Sequence, residues 1–537
     1  MTVKKNIFKY VQFHWNWIWL FIFAVGMGIF LIVTPKYIDD FWYAYDMRNW
    51  FQDQGVWNIT EGGNIFKYGI PWEEMRHTIS VHMDYDTRRL CNAVGTFMLI
   101  FPKWVGSSIS LAALLFSIWG CLKIAGIQIG KSWLVAVCIG LWTLTMFWYE
   151  PMGSIIYQYN YILATAFCIL LIFMLLRGPD NVLGLIGLGL VSLICGLWHE
   201  GFAAPMLASL LVCIICFKDF RNRKAITAAL IIILCLIWHF WTGGTHDRMR
   251  IGWLGISPRR VMRQIYYHRA IWVALAISIF YIVKHGFRKY FTDRLIVFLL
   301  AGLVMAYGQT YYTDIIRASW WADVASVILS LYMLRKLDIG FESYKSWRKW
   351  LSVIILVISF AELVALDSYT ILLAREFPEK IRTYMTNSNK SQFSRLIDSP
   401  WTSFWFMQMK HQQIYSYSIY VKDFYHTRES EVSPMMVVPE SLRFVTEEKC
   451  EPLGGELNIM KYGNYLVVRT DSILPYSKDN VWIDYGWFKS YERILEFQPF
   501  VSDGDGKRYA YVFPQTCLTE YAIGDIKGIY SRDVNRF

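Results

Sequence analysis

The sequence predicts an α-helical polytopic membrane protein with about eleven transmembrane helices, followed by a C-terminal mixed α/β domain outside the membrane. Three observations predict it. Hydrophobic residues make up 55% of the chain and charged ones 18%, against about 25% charged in an ordinary soluble domain. Apolar runs of 15–20 residues recur as far as residue 367, enough to cross about 30 Å of hydrocarbon with help from aromatic ends. The 537 residues exceed the about 250–300 that one soluble core holds, and no long stretch is both polar and poor in aromatics, which excludes disorder.

Taken in order, the first element is a basic start, MTVKKNIFKY, followed by an apolar run at 17–34 that ends in TPK. With no small-residue cleavage site, it reads as a retained signal-anchor helix with its N-terminus inside. Further runs place spans near 105–122, 132–149, 160–176, 182–198, 201–217, 225–242, 270–284, 295–310, 319–334 and 350–367. Residues 89–101 form a shorter run that stops at Pro102 and reads as a re-entrant or interfacial helix. Residues 368–399 read as a helical linker. From 400 to 537, stretches such as YLVVRT and NVWIDYGWF, separated by LGG and SDGDGK, read as strands and turns of an exterior domain.

Charge placement supports this order. Residues 1–367 carry 33 Lys/Arg against 21 Asp/Glu, whereas 368–537 carry 20 against 21, so the whole surplus lies in the membrane half. A positive-inside bias accounts for it, and nucleic acid is dropped as a partner. The segments 218–224, 284–294 and 335–349 hold 4, 4 and 5 Lys/Arg and read as cytoplasmic loops. The alternate loops mix acids, bases and histidine: IDDFWYAYDMR, HMDYDTRR, WHE, GTHDRMR and TDIIR. Groups able to do chemistry therefore gather on the outer face. Eight of the ten cysteines lie in or beside apolar runs, where Cys acts as a small hydrophobe; Cys450 and Cys517 lie in the tail. No Walker A, Rossmann, GxSxG or zinc spacing is present, which leaves nucleotide chemistry and zinc hydrolysis without support.

Within the outer loops, Asp39 and Asp40 sit among aromatic residues just after the first span. Burial and a like-charged neighbour raise a carboxyl pKa and tune it as a general base. Adjacent carboxylates cannot both face one atom, so one is expected in a cavity, with Asp40 favoured, and the other as a helix cap. Arg88 and Arg89, beside Asp84 and Asp86, have the planar fork that suits a phosphate, or else anchor the interface. His199 and Glu200 occupy a hairpin with almost no loop, where polar groups are costly; they are functional or form a hydrogen-bonded turn. Arg248 and Arg250, with Arg259, Arg260, Arg263 and Arg269, break the positive-inside pattern and suggest an anionic ligand. Arg317 is a lone base at the same boundary.

The ordered set YIDDFWYA, DYDTRRLCN and LWHEGF over residues 1–367 resembles the GT-C superfamily of integral-membrane glycosyltransferases, and more particularly a DUF6056-like bacterial branch. The resemblance implies a membrane enzyme of the bacterial plasma membrane. Such an enzyme moves a sugar, with inversion, from a polyprenyl-phosphate donor to an extracytoplasmic acceptor such as a cell-surface glycan or polymer. It implies Asp39 or Asp40 as the base, and Arg88, Arg89, His199, Glu200, Arg248, Arg250 or Arg317 around the donor phosphate. In several members loop carboxylates hold a divalent cation, Mg or Mn; the sequence leaves that open. Alternatives are a transporter or flippase of lipid-linked glycans, and a glycan ligase or polymerase.

Overall fold

A computed structural model describes residues 2–36, 39–56, 61–83, 87–130, 132–146, 148, 150–241, 268–313, 319–337, 346–386, 394–395, 437–438, 442–455, 458–463, 465–470, 480–484, 491–494, 498–512 and 526–531. The chain divides into two compact units. One comprises Met1–Ile256, Arg260–Ile371 and Ser403–Met409; the other comprises Ser257–Arg259, Leu372–Thr402 and Lys410–Phe537.

The first unit is helical. Helix α1 (Thr2–Val33) is followed by short helices α2 (Asp39–Ala44), α3 (Arg48–Asp53), α4 (Ile65–Tyr68), α5 (Trp72–Met83) and α6 (Arg89–Leu99). Pro102, which cannot extend a helix already running, is the N-cap residue of α7 (Lys103–Ile124), so the 89–101 run is a separate element. Then come α8 (Leu134–Gly140) with a π-helical turn at Leu141–Thr145, α9 (Ile155–Tyr157), a second π turn at Gln158–Leu163, and α10 (Ala164–Arg177). The unit continues with α11 (Val182–Trp198), α12 (Glu200–Cys216), α13 (Arg223–Trp241), α14 (Arg269–His285), α15 (Phe287–Thr292), α16 (Arg294–Thr313) and α17 (Trp320–Lys336). Helix α18 (Ser346–Thr386) runs on from the last apolar run into the expected linker.

The expected spans fall on helices where they are described, although the 132–149 run is helical only over Leu134–Thr145; among the described residues five helices are long and apolar enough to cross a membrane: Trp15–Val33, Lys103–Ile124, Ile155–Arg177, Arg223–Trp241 and Trp350–Ser368. Shorter apolar helices at Leu134–Thr145, Val182–Trp198, Glu200–Cys216 and Arg294–Gln309 accompany them. Small residues let the helices approach closely: a Cβ at Gly196 would lie 2.7 Å from Cys235 Sγ, and one at Gly302 would lie 2.6 Å from Ser209 Oγ. Leu183, Ile215, Leu234 and Val283 point outward and are exposed, the pattern of a surface solvated by lipid.

Helix starts differ between the two ends of the bundle. Next to the basic loops they use ordinary caps: Asn181 Oδ1 accepts from Gly184 N at 2.8 Å, Asn222 Oδ1 from Ala225 N at 3.0 Å, and Asp293 Oδ1 from Leu295 N at 3.1 Å. At the other end the starts of α9, α12 and α17 involve Asp40, His199 and Ser319.

The second unit carries the sheets. Five antiparallel strands lie in the order β3 (Glu451–Pro452), β4 (Met460–Tyr462), β5 (Tyr465–Arg469), β9 (Arg508–Val512), β8 (Gln498–Val501). Leu442, Val445, Val467, Phe500, Tyr509 and Tyr511 form its core. A three-stranded antiparallel sheet follows the order β10 (Gly528–Ser531), β6 (Asn480–Asp484), β7 (Tyr491–Ile494), and β1 (Ser394–Arg395) pairs in parallel with β2 (Val437–Val438). Cys450 is a free thiol 3.3 Å from Thr446 O, and Cys517 lies outside the described residues.

Candidate functional site

Two aspartates open α2 and have different surroundings. Asp39 is partly exposed, whereas Asp40 is 0% exposed. Asp40 Oδ1 accepts from Ser154 Oγ at 2.8 Å and from Ile156 N at 3.0 Å; Oδ2 accepts from Ile155 N at 3.1 Å. Those amides belong to the first turn of α9. Ser154 is the N-cap residue there, yet its side chain makes no capping bond; its hydroxyl turns to Asp40 instead. Asp40 thus caps a helix that starts 115 residues further on, and its charge sits at the positive end of that helix. The expectation that Asp40 faces a cavity gives way here, because both its oxygens are taken by this helix start.

Two buried lysines share the pocket of Asp40. Lys36 Nζ donates to Leu99 O and Phe101 O, both at 2.8 Å, and closes the C-terminus of α6; Lys103 Nζ donates to Thr34 O. Burial raises the Asp40 carboxyl above its ordinary value, against the pull of the Ile156 amide, Lys103, Ser154 and the Ile155 amide. Burial lowers Lys36 to about 7, with the Asp40 charge opposing. The cluster ties the ends of α1, α6, α7 and α9 together around the first loop.

The segment Thr87-Arg88-Arg89 reaches two further helices. Thr87 Oγ1 donates to His239 Nδ1 at 2.8 Å, and His239 Nε2 donates to Gly196 O at 2.9 Å, which joins α13 to α11. Arg88 forks onto Glu200, the first residue of α12. Nη2 lies 2.6 Å from Oε1 and Nε 2.9 Å from Oε2, while Nη1 reaches Asn160 Oδ1 at 3.3 Å. His199 is the N-cap residue of α12, with Nδ1 accepting from Gly201 N at 2.9 Å. That bond leaves Nδ1 without a proton, so its 3.7 Å approach to Glu200 Oε2 is not an ion pair. His199 thus caps the α12 start, and Glu200 pairs with Arg88.

Arg89 differs. Its guanidinium carbon lies 5.0 Å from the centre of the Trp238 ring, and Nε is buried without a hydrogen-bond partner. Among the described residues no carboxylate pairs with it. A planar cation laid on an aromatic face keeps its donor edge for another group. Arg89 also begins α6, whose N-terminus adds positive potential. The helices carrying Asp39 and Arg89 are bonded to each other, since Tyr43 OH of α2 reaches Asn92 Oδ1 of α6 at 3.2 Å. Asp39 precedes Tyr43 by one turn, and Arg89 precedes Asn92 by one turn, on the faces so joined.

Asp84, Asp86, Arg248, Arg250 and Arg317 lie outside the described residues. Among the described residues no three His, Cys, Asp or Glu side chains converge as a cation site, and Asp40 is committed to α9. The described residues thus assemble no Mg or Mn site. Sequence reasoning missed Lys36, Lys103, Asn160, Trp238 and His239. It also missed His268, Ser319 and Asp323, which hydrogen-bond to one another. The available signal was an ionisable residue inside an apolar run: His239 in LIWHFW and Asp323 in WWADVAS. No protein-family model matches the chain, and no curated protein matches it in sequence.

Proposed function

We propose that this chain is a membrane glycosyltransferase. It moves a sugar from a polyprenyl-phosphate donor to an extracytoplasmic acceptor hydroxyl, a cell-surface glycan or polymer, with inversion. The observation that carries the reading is Arg89: a guanidinium lying over the Trp238 ring, with a buried unpartnered Nε and no described carboxylate paired with it, at the first residue of α6. Inverting transfer needs a cation for the departing phosphate and a base for the acceptor hydroxyl. Arg89 fits the first role. Asp39, the partly exposed member of the pair, fits the second, because Asp40 is committed to α9. The Arg88–Glu200 pair positions the segment that carries Arg89. Eleven crossings, a cytoplasmic N-terminus, an outward tail and a place in a bacterial plasma membrane belong to the same proposal.

Binding tests the reading. The purified protein in nanodiscs should bind polyprenyl phosphate and not the uncharged polyprenol, and Arg89→Ala should lose that preference. Equal binding of both lipids by the parent protein would remove the phosphate site.

One observation favours a transporter instead. Glu362 and Asp367 lie on the apolar part of α18, with Glu362 buried, and the π turn at Gln158–Leu163 interrupts the helix from Ile155 to Arg177. Ionisable groups at such depth mark ion or substrate pathways. Movement of a labelled lipid-linked glycan across vesicles by the reconstituted protein, without sugar transfer, would favour that reading.

A further inference from the structure

His268 directly precedes α14, Ser319 directly precedes α17, and Asp323 lies in the first turn of α17. Ser319 Oγ is 2.5 Å from His268 Nε2, and His268 Nδ1 is 2.8 Å from Asp323 Oδ2. All three are at most 1% exposed. The proton order follows from chemistry. With Asp323 ionised, its carboxylate only accepts, so Nδ1 carries the proton; Nε2 of the neutral ring is then the acceptor, and the serine hydroxyl donates to it. This is the order of hydroxyl, imidazole and carboxylate that activates a serine.

Two independent features go beyond a structural clip between α14 and α17. Ser319 is the N-cap residue of a 17-residue helix, yet its hydroxyl makes no capping bond. The hydroxyl therefore sits beside the positive end of α17, where negative charge on an attacked carbonyl oxygen is stabilised. In addition, Asp323 Oδ1 is buried with no hydrogen-bond partner, so the carboxylate is not satisfied as a structural one normally is. The next residue, Trp320, packs against Trp148 and Tyr161, and Tyr161 packs against His199, so a layer of rings stands between this cluster and the Arg88–Glu200 network.

We propose that Ser319, His268 and Asp323 form a second reactive centre, in which Ser319 is the nucleophile for acyl transfer from a carboxylic oxygen ester. Oγ bonds to the ester carbonyl carbon while its proton passes to His268 Nε2. The bond from that carbon to the alkoxy oxygen then breaks, and the alcohol leaves with the Nε2 proton. Water or an acceptor hydroxyl attacks the acyl-serine, giving its proton to Nε2, and Oγ leaves by taking that proton back. Asp323 stays ionised and holds the ring. This centre does not depend on the glycosyltransferase reading.

The test uses purified full-length protein in detergent with diisopropyl fluorophosphate, whose fluoride Oγ displaces. Peptide mass spectrometry should find one modified residue, Ser319. Ser319→Ala should abolish the reaction, and His268→Gln should slow it at least about 100-fold. Asp323→Asn, close in volume, should slow it about 10²–10⁴-fold. A burst of p-nitrophenolate from p-nitrophenyl butyrate, stoichiometric with protein and absent in Ser319→Ala, should accompany it. Melting temperature and gel filtration of each variant report folding. Should His268→Gln not fold, Asp323→Asn and the parent protein decide. An unmodified Ser319 in the folded parent overturns the proposal, as does labelling at the parental rate in either folded variant.

Discussion

Replacing Asp40 by Asn separates a helix cap from a catalytic base. The native carboxylate accepts three hydrogen bonds, from Ser154 Oγ, Ile155 N and Ile156 N. An Asn keeps one oxygen, which continues to serve Ser154 and Ile156. Its amide nitrogen replaces Oδ2 and meets the Ile155 N–H, donor against donor. One buried backbone donor loses its acceptor, which costs about 1–3 kcal/mol. Asp40→Ala removes both acceptor oxygens and with them all three hydrogen bonds, takes the Asp40 charge away from Lys36 and Lys103, and should cost about 3–5 kcal/mol, as other broken buried pairs do. Unfolding in mixed dodecylmaltoside–SDS micelles, read against a surface control such as Asp180→Asn, measures the loss. Turnover per folded molecule should stay within about threefold of the parent for Asp40→Asn, because a base removed outright costs 10²–10⁴-fold. An Asp40→Asn protein as stable as the parent but reduced 10²–10⁴-fold in turnover would refute the assignment and return the base to Asp40.

Three further predictions follow from the same geometry. Arg89→Ala should weaken polyprenyl-phosphate binding by about 2–5 kcal/mol, roughly 30- to several-thousand-fold; Arg89→Lys should recover only part, and unchanged binding in the Ala variant would move the phosphate site elsewhere. Because Lys36 is lowered to about 7 and an unfolded lysine titrates near 10.4, the unfolded chain binds the extra proton between those values. Stability should therefore rise with pH through that window by up to about 1.4 kcal/mol per pH unit, and Lys36→Met should flatten the rise; an equally steep melting profile in the variant contradicts this. A Cβ at Gly201 would lie 2.9 Å from His199 Cε1 and 3.1 Å from Nδ1, so Gly201→Ala should displace the α12 cap and cost about 0.5–2 kcal/mol, checked in the same micelle titration.

Much of the helical order was legible because it rests on local facts: apolar runs of set length and Pro102 as a stop. The strands of the tail were legible from their alternation and turn residues. The roles of the polar residues were less so, because partners distant in sequence decide them. Asp39 and Asp40 look alike in sequence, and what separates them is a helix start at residues 154–156. Arg88 and Arg89 are likewise neighbours, yet a carboxylate 112 residues away takes one of them and leaves the other on Trp238. His199 was singled out for its hairpin, and the turn itself explains its Nδ1. His268, Ser319 and Asp323 carry no motif spacing, since two chain segments 51 residues apart bring them together.

The central claim is sugar transfer, and its most direct measurement is product formation by the purified protein in nanodiscs. The protein is supplied with radiolabelled polyprenyl-phosphate sugars and a hydroxyl-bearing glycan acceptor, and the parent is compared with Asp39→Asn. The expected result is release of polyprenyl phosphate with label in the acceptor, at a rate about 10²–10⁴-fold lower in the Asn variant, whose donor binding stays nearly intact. Transfer at the parental rate in a folded Asp39→Asn protein would contradict the assignment of the base. No transfer by the parent from any donor, with labelled lipid-linked glycan crossing reconstituted vesicles, would contradict the enzyme itself.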